Sequence, residues 1–328
     1  MIEAPTLDEI RALRDALGDS IVRTPVLRAE AIESVLSNGT RVFAKLEFLQ
    51  HTGTFKARGA LATVHGLSAD ERAAGVTAVS AGCHAVATAY ASKAYGVGAK
   101  IVMTASANPA RVEACASYGA EIVHAGTVHE AFEMAESIRR DEGRFMVHPF
   151  DGKTIATGTG TLGLEIAEQV SEADAVIVSV GGGGLIGGVA NAVRLANPNC
   201  RIYGVEPSGA DSMSKSLAQG EAVSIEAVNT IADSLGAPFA SEYTHAMCAE
   251  HVEAMVLVDD DELKRMMGWT FHRMKMAVEP ACVAATAALF GPLRERLAGQ
   301  TVVVLMCGSI MDWNTFSSFA DFDAVYVD

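Results

Sequence analysis

The chain has 328 residues, of which 50% are hydrophobic and 20% are charged, and its formal net charge is -15 at pH 7. This length and apolar content are enough for one large domain or two domains with a sizeable core, and they exclude an intrinsically disordered chain. The negative charge argues against a nucleic acid or an anionic membrane as a partner, because both repel an acidic surface.

Two features bear on the cellular location. The N-terminal segment carries acidic residues early and is not followed by an apolar stretch, so it does not resemble a secretory signal peptide. The uncharged stretch 175–193 is near spanning length, but it contains a run of four glycines and is predicted to be a strand, a loop and a helix start. The six cysteines form no Cys-x-x-Cys pair, and we expect reduced thiols in the cytoplasm.

Helix and strand patterns alternate along the chain. Spacings typical of helix N-caps occur at Thr6–Glu9, Ser68–Glu71 and Thr127–Glu130, and His84–Tyr95 is predicted to be a helix that Gly96 ends. Strands are predicted, in chain order, at Arg41–Leu46, Val76–Val79, Lys100–Met103, Glu121–His124, Arg144–Val147, Ala175–Val180, Arg201–Val205 and Val302–Met306. Short apolar strands between helices indicate an α/β protein with buried parallel sheets.

The first chemically informative segment is TGTFKARGA, which surrounds Lys56. A lysine that is desolvated among small residues has a lowered pKa, and its neutral amine attacks aldehydes readily. Taken alone, however, Lys56 is more typical of an exposed surface lysine.

The second segment, SVGGGGLIGG, begins at Ser179, after the most apolar predicted strand, and precedes a helical stretch. Backbone N–H groups of such a loop converge on an anion at a helix N-terminus. A dinucleotide fingerprint would require an acidic residue about twenty residues later, where Glu206 lies. The segment lies far from the N-terminal part of the chain, and four consecutive glycines favour a small phosphate site. A tight turn alone needs fewer glycines.

The third segment, SAGCH, covers Ser80–His84 between a predicted strand and an alanine-rich helix. Its amides suit a substrate carboxylate, because they lie at the carboxyl end of a strand and the start of a helix. For His84, simple packing at the helix N-terminus is equally compatible with the sequence.

In this order the three segments resemble the fold-type II pyridoxal-phosphate (PLP) enzymes, within the tryptophan synthase beta-like superfamily. The resemblance is to the branch that contains threonine/serine dehydratases and serine racemases. Shorter matches cover nearly the whole chain, at Ala44–Glu47, His148–Asp151, Gly158–Thr161, Val205–Pro207, Thr230–Asp233, Val278–Pro280 and Cys307–Gly308.

This resemblance implies two open twisted parallel-sheet domains, with the cofactor in the cleft between them. We expect a small domain of residues 69–151, inserted in a large PLP-binding domain of residues 1–68 and 152–328. The resemblance also implies a homodimer and a small amino acid as the substrate.

The resemblance further implies roles for individual residues. Lys56 forms a Schiff base with PLP and acts as the base at the substrate α-carbon. The cofactor-binding residues are Phe55, Lys56, Cys83, Gly181, Gly182, Gly183, Gly184, Leu185, Glu279 and Cys307, and the substrate carboxylate is held by Ser80, Ala81, Gly82 and His84.

Two of these positions favour elimination of the β-hydroxyl group. Cys307 faces the pyridine nitrogen by resemblance, and a thiol cannot keep that nitrogen protonated as a carboxylate would. A neutral ring is a weaker electron sink and suits prompt loss of the hydroxyl. Ala81 lacks the serine hydroxyl that the related racemases use for the second proton transfer.

The expected activity is an ammonia-lyase that converts a β-hydroxy amino acid of the L-threonine/L-serine type to a 2-oxo acid and ammonia. A bulkier or acidic β-hydroxy amino acid remains an alternative. PLP binding with little or no dehydratase turnover is another, because Cys83 and Ile310 stand where the family has asparagine, and Thr159 replaces a usual glutamine.

The branch often binds a divalent cation at a segment that here contains Glu206, Ala210 and Ser212. Ser212 replaces a carboxylate, and hard cations need several charged oxygen ligands, so we expect no metal. The acidic run Asp259–Asp261 is expected to cap a helix.

Overall fold

A computed structural model describes residues 2–105 and 107–323 of the chain. In these ranges the strands are β1 (Val26–Arg28), β2 (Arg41–Leu46), β3 (Val76–Val79), β4 (Ala99–Thr104), β5 (Glu121–Ala125), β6 (Phe145–Met146), β7 (Ala175–Ser179), β8 (Arg201–Pro207), β9 (Ala254–Val258) and β10 (Thr301–Met306).

The helices in the same ranges are α1 (Leu7–Leu17), α2 (Glu30–Leu36), α3 (Lys56–His65), α4 (Ala69–Ala74), α5 (Cys83–Tyr95), α6 (Pro109–Ser117), α7 (Val128–Glu142), α8 (Lys153–Gln169), α9 (Gly184–Ala196), α10 (Ser212–Gln219), α11 (Glu242–His251), α12 (Asp260–Met274), α13 (Pro280–Phe290) and α14 (Trp313–Phe319). The predicted α/β class is confirmed, and the predicted strands and N-caps are found within a few residues of their expected bounds.

The strands form two separate sheets. The larger has the order β1-β2-β10-β7-β8-β9, and all its pairings are parallel except β1 with β2. The smaller has the order β5-β4-β3-β6 and is parallel throughout. Strands β7 and β10 are buried along their whole length, which explains their continuous apolar sequences.

Two strands of the larger sheet were not predicted. β1 has only three residues and pairs antiparallel at the sheet edge. β9 follows α11 after Val252 and Glu253, without a glycine or proline to mark the change. Both lie at edges, where the sequence pattern is weakest.

Each sheet lies against its own hydrophobic core. All four strands of the smaller sheet fall within residues 69–151, the range predicted for the small domain. The exact domain boundaries remain a prediction. The stretch 175–193 forms β7, the glycine loop and most of α9, and no helix in the described ranges is long and apolar enough to cross a membrane.

A buried ion network lies beneath α3. Arg58 donates from Nε to Glu47 Oε1 at 2.6 Å and from Nη1 to Glu165 Oε1 at 2.7 Å, while Lys45 Nζ contacts Glu165 Oε2 at 2.6 Å. The four side chains are at most 1% exposed, and their two positive charges balance their two carboxylates. Arg58 lies two residues after Lys56, so the network fixes the first turn of α3.

Opposing effects set the pKa of Arg58. Burial alone would lower it, but the charges of Glu47 and Glu165 outweigh burial, so the pKa of the guanidinium is raised above its usual value. Arg58 therefore remains a cation, and removing it would leave two buried carboxylates facing only Lys45.

We expect Arg58→Ala to lower the free energy of unfolding by about 3–5 kcal/mol, the usual cost of leaving a buried charge without its partner. Urea denaturation of the cofactor-free protein measures this. The control is Arg11→Ala, which removes a half-exposed arginine that pairs with Asp8 on α1 and changes stability by less than about 1 kcal/mol. A similar small effect for both variants would contradict the role given to the network.

Candidate active site

A cavity whose free volume, including its open mouth, is about 450 Å³ lies at the carboxyl ends of β7 and β10. This is where open α/β sheets bind their ligands. Its lining residues are Thr54, Phe55, Lys56, Cys83, Phe150, Ser179, Gly181, Gly182, Gly183, Gly184, Leu185, Ser234, Leu235, Glu279 and Cys307. The structure thus brings every residue of the predicted cofactor-binding set to one cavity, and their binding roles remain predictions.

Lys56 is the first residue of α3, and its Nζ donates to the carbonyl of Pro149 at 3.0 Å. Burial lowers the pKa of the Lys56 amine, and Cys83, Cys307 and Glu279 oppose this only in part. A lowered pKa increases the fraction of neutral amine, which is the nucleophilic and basic form.

The glycine loop joins β7 to α9. Among the described residues, the backbone N–H groups of Gly181–Leu185 have no protein acceptor, although most of this segment is buried. The start of α9 adds the positive end of a helix dipole. Buried donors without partners at a helix N-terminus fit the phosphate group of PLP.

Two glycines of this loop are required by its geometry. Gly183 has a φ of +89°, and a Cβ atom there would lie 2.5 Å from Met213 Cε and 2.8 Å from Thr244 Cβ. A Cβ atom on Gly182 would lie 2.5 Å from the Phe150 ring. Any larger residue would displace the loop, so its small-residue pattern is explained by close contact as well as by backbone conformation.

Thr159 connects this loop to the neighbouring helix α8. Its Oγ1 donates to the carbonyl of Gly184 at 2.8 Å. The threonine that departs from the family pattern therefore makes a direct contact with the first turn of α9.

The thiols of the cavity are neutral at physiological pH. Burial raises the pKa of Cys307 to about 12 and raises that of Cys83 well above its usual value. Cys307 follows β10 directly, and its Sγ donates to Ala281 O at 3.5 Å. Neutral thiols cannot hold a ring nitrogen protonated, which agrees with the expectation from the sequence.

Glu279 is the buried carboxyl group of the cavity wall. It accepts from Ser234 Oγ at 2.8 Å and from Ile310 N at 2.9 Å, and burial raises its pKa. The contact to Ile310 uses the backbone, so it does not depend on the side chain that replaces the family asparagine.

The segment predicted to bind the substrate carboxylate begins between β3 and α5 and ends in the first turn of α5. Gly82 N donates to Ser80 Oγ at 3.0 Å, and the ring of His84 donates from Nε2 to Val147 O at 2.9 Å. Burial, with the charge of Lys56, lowers the pKa of His84 to about 3, so the ring is neutral and held in place. Ala81 lines a second, adjoining cavity, whereas Ser80, Gly82 and His84 line neither cavity.

The segment considered as a cation site makes hydrogen bonds that stabilise the fold. Glu206 accepts hydrogen bonds from the backbone N–H groups of Met213 and Ser214, which have no partner within α10 because they lie in its first turn. Burial raises the pKa of Glu206 to about 7. Ser212 Oγ donates to Ala237 O. Within the described ranges no group of three or more His, Cys, Asp or Glu side chains is arranged to hold a metal ion. Asp259 caps α12, as predicted.

Some residues of the site were not predicted from the sequence. Phe150 packs against the glycine loop, and Arg111 donates from Nη1 to Asp233 Oδ2 at 2.7 Å and from Nε to Ile310 O at 3.2 Å. Asp233 belongs to a segment that matched the family pattern, which was a usable signal. No feature of the sequence marked Arg111 as a residue of the site, because its partners lie more than a hundred residues away in sequence.

The chain was compared with known proteins. The family described as "Pyridoxal-phosphate dependent enzyme" matches residues 17–308. Phenylserine dehydratase of Ralstonia pickettii is 49% identical over 313 residues, which is 95% of each chain. L-threo-3-hydroxyaspartate ammonia-lyase of Saccharomyces cerevisiae is 34% identical, with 96% of each chain covered. The solved structure of maize serine racemase superimposes with a TM-score of 0.91 at 31% identity, covering 96% of this chain and 97% of that chain.

We expect Gly183→Ala to weaken PLP binding at least about tenfold, because the added methyl group is strained at positive φ and overlaps neighbouring side chains. Titration of the cofactor-free protein with PLP, followed by visible absorption, measures the affinity. The control is Gly220→Ala, which also has positive φ but has open space around its Cβ position. Equal PLP affinity in both variants would show that the loop does not hold the phosphate.

Proposed function

Because this chain belongs to the pyridoxal-phosphate-dependent enzyme family, we propose that it is an ammonia-lyase acting on a β-hydroxy amino acid. The substrate loses its α-proton and β-hydroxyl as water, and hydrolysis of the product consumes one water and yields a 2-oxo acid and ammonia. The observation that carries this proposal is the buried Lys56 amine, which shares one cavity with the unpaired N–H groups of the glycine loop.

The residues of the cavity fit the cofactor. Lys56 would hold PLP covalently, Gly181–Leu185 would hold its phosphate, and Phe55, Cys83 and Cys307 would surround its ring. When bound, PLP withdraws electrons from the substrate α-carbon and so weakens the bond to the α-proton.

Lys56 is suited to remove that proton. Burial lowers the pKa of Lys56 and so increases the share of neutral amine, which is the form that accepts a proton. The first turn of α3, fixed by Arg58, keeps the amine at the same place during proton transfer.

Two further features support elimination over racemisation. The neutral thiols of Cys83 and Cys307 leave the cofactor ring without a strong proton donor. Ala81 has no hydroxyl, and the neighbouring Ser80 hydroxyl accepts from Gly82 N. Ala81 therefore supplies no acid that would return the proton on the opposite face at this position.

The similarity to phenylserine dehydratase supports turnover of a bulky β-hydroxy amino acid. It also counts against a protein that binds PLP without turnover. Substrates of the threonine and serine type remain within the proposed class, since the chain is also 35% identical to L-threonine ammonia-lyase of Thermotoga maritima.

We also propose a cytoplasmic homodimer with its small domain at residues 69–151. All six cysteines are free and buried, which supports a reducing compartment. The dimer follows from the family resemblance, and light scattering of the purified protein measures it.

The reaction is tested by incubating the PLP-loaded protein with L-threonine, L-serine and L-threo-phenylserine, and by measuring 2-oxo acid and ammonia. Lys56→Ala is expected to reduce kcat at least about a hundredfold, since it removes the base. Lys153→Ala is the control, because this lysine pairs with Glu9 on the surface away from the cavity. Absence of 2-oxo acid from every substrate, or full activity of Lys56→Ala, would refute the proposal.

A further inference from the structure

A second cavity adjoins the first, and its lining takes no part in the proton transfer proposed for Lys56. Its free volume, including its mouth, is about 940 Å³. Three chain segments border both cavities, at residues 81–83, 233–234 and 307–310. A substrate whose α-carbon lies beside Lys56 therefore has this second cavity next to it.

The apolar part of the wall comes from both sides of the cleft. Ala81 and Ala107 belong to the side of the smaller sheet, whereas Ile231, Met311 and Phe319 pack against the core of the larger sheet. Ile310 completes the wall.

Most polar side chains of the wall already have protein partners. Arg111 is paired with Asp233, Asn108 Nδ2 donates to Asp312 Oδ2 at 2.8 Å, and Thr230 Oγ1 donates to Asp260 Oδ1 at 2.6 Å. A ligand that needed these groups would have to break existing contacts. Because these polar side chains are occupied by protein partners, the apolar side chains of the wall are the ones left to contact a ligand.

We propose that this cavity binds the β-substituent of the substrate and that it selects an aromatic ring. This inference rests on the proposed function, because it assumes that a β-hydroxy amino acid occupies the first cavity. An aromatic ring gains free energy from burial against apolar side chains such as Ile231 and Ile310, which line this cavity.

The charges of the cavity disfavour an acidic β-substituent. The positive charge of Arg111 is neutralised by Asp233 at 2.7 Å, and the Asp233 carboxylate is itself more than half exposed. A second carboxylate at this place would meet the like charge of Asp233 and would have to compete with Asp233 for Arg111. Of the bulkier and the acidic substrates that the sequence left open, the cavity therefore favours the bulkier one, and we assign it an aromatic ring.

Ile310 is held by its backbone and lines the second cavity with its side chain. Its backbone N–H donates to Glu279 and its carbonyl accepts from Arg111, so the backbone holds the structure while the side chain lines the cavity. Isoleucine at the position of the family asparagine thus changes the chemistry of the wall without losing its anchoring contacts.

The test uses PLP-loaded enzyme and three variants. Ala107→Trp and Ile231→Trp fill the cavity from its two walls, and Ile310→Asn makes the wall polar without adding bulk. The control is Ala110→Trp, on the exposed face of α6 and outside the cavity. The measured quantity is kcat/KM for L-threo-phenylserine divided by kcat/KM for L-threonine. We expect this ratio to fall at least about tenfold in each variant and to stay unchanged in the control.

A binding measurement separates this inference from the proposed reaction. L-Phenylalanine and L-2-aminobutyrate lack the β-hydroxyl, and equilibrium dialysis measures their binding without turnover. The cavity variants should lose affinity for L-phenylalanine selectively, even if the wild-type enzyme releases no 2-oxo acid. An unchanged ratio, or equal loss for both ligands in variants that retain the wild-type circular dichroism, would overturn the assignment. Ile310→Asn decides the question if the tryptophan variants do not fold.

Discussion

The buried pairing of Arg58 with Glu47 and Glu165 is the interaction on which the site depends. It joins α3, which begins with Lys56, to Glu47 directly after β2 and to Glu165 in the C-terminal half of α8. Helix α8 also carries Thr159, whose hydroxyl contacts the carbonyl of Gly184. One helix therefore connects the lysine to the glycine loop, and the distance between amine and anion site is set by packed secondary structure.

Burial then sets the chemistry of the groups so positioned. Desolvation penalises the charged form, so it lowers the pKa of Lys56 and raises the pKa values of Cys83 and Cys307. The same physical effect favours the neutral form of the amine and keeps the thiols neutral. A base whose neutral form is favoured, beside neutral thiols, suits elimination, and the second cavity places further apolar side chains next to this site.

Much of this arrangement was predictable, because motif segments follow apolar strands and the carboxyl ends of parallel strands meet at one edge. The glycine loop Gly181–Leu185 was found in this way, whereas the roles of Lys56 and Cys307 were expected only from the resemblance to the PLP enzymes. The ion network was not, since buried Lys45 and Glu165 look like surface charges in a sequence. The pair Arg111–Asp233 and the second cavity depend on loops from distant parts of the chain, where no periodic pattern exists. The edge strand β9 was missed because no turn residue separates it from α11.

The central claim is that Lys56 is the amine that holds the cofactor. Reducing the PLP-loaded protein with sodium borohydride makes that linkage permanent, and peptide mass spectrometry then locates it. The account predicts one pyridoxyl phosphate group, on the peptide that contains Lys56, and none in Lys56→Ala. A label on another lysine, or no label in a protein that shows the visible absorption of bound PLP, would contradict it.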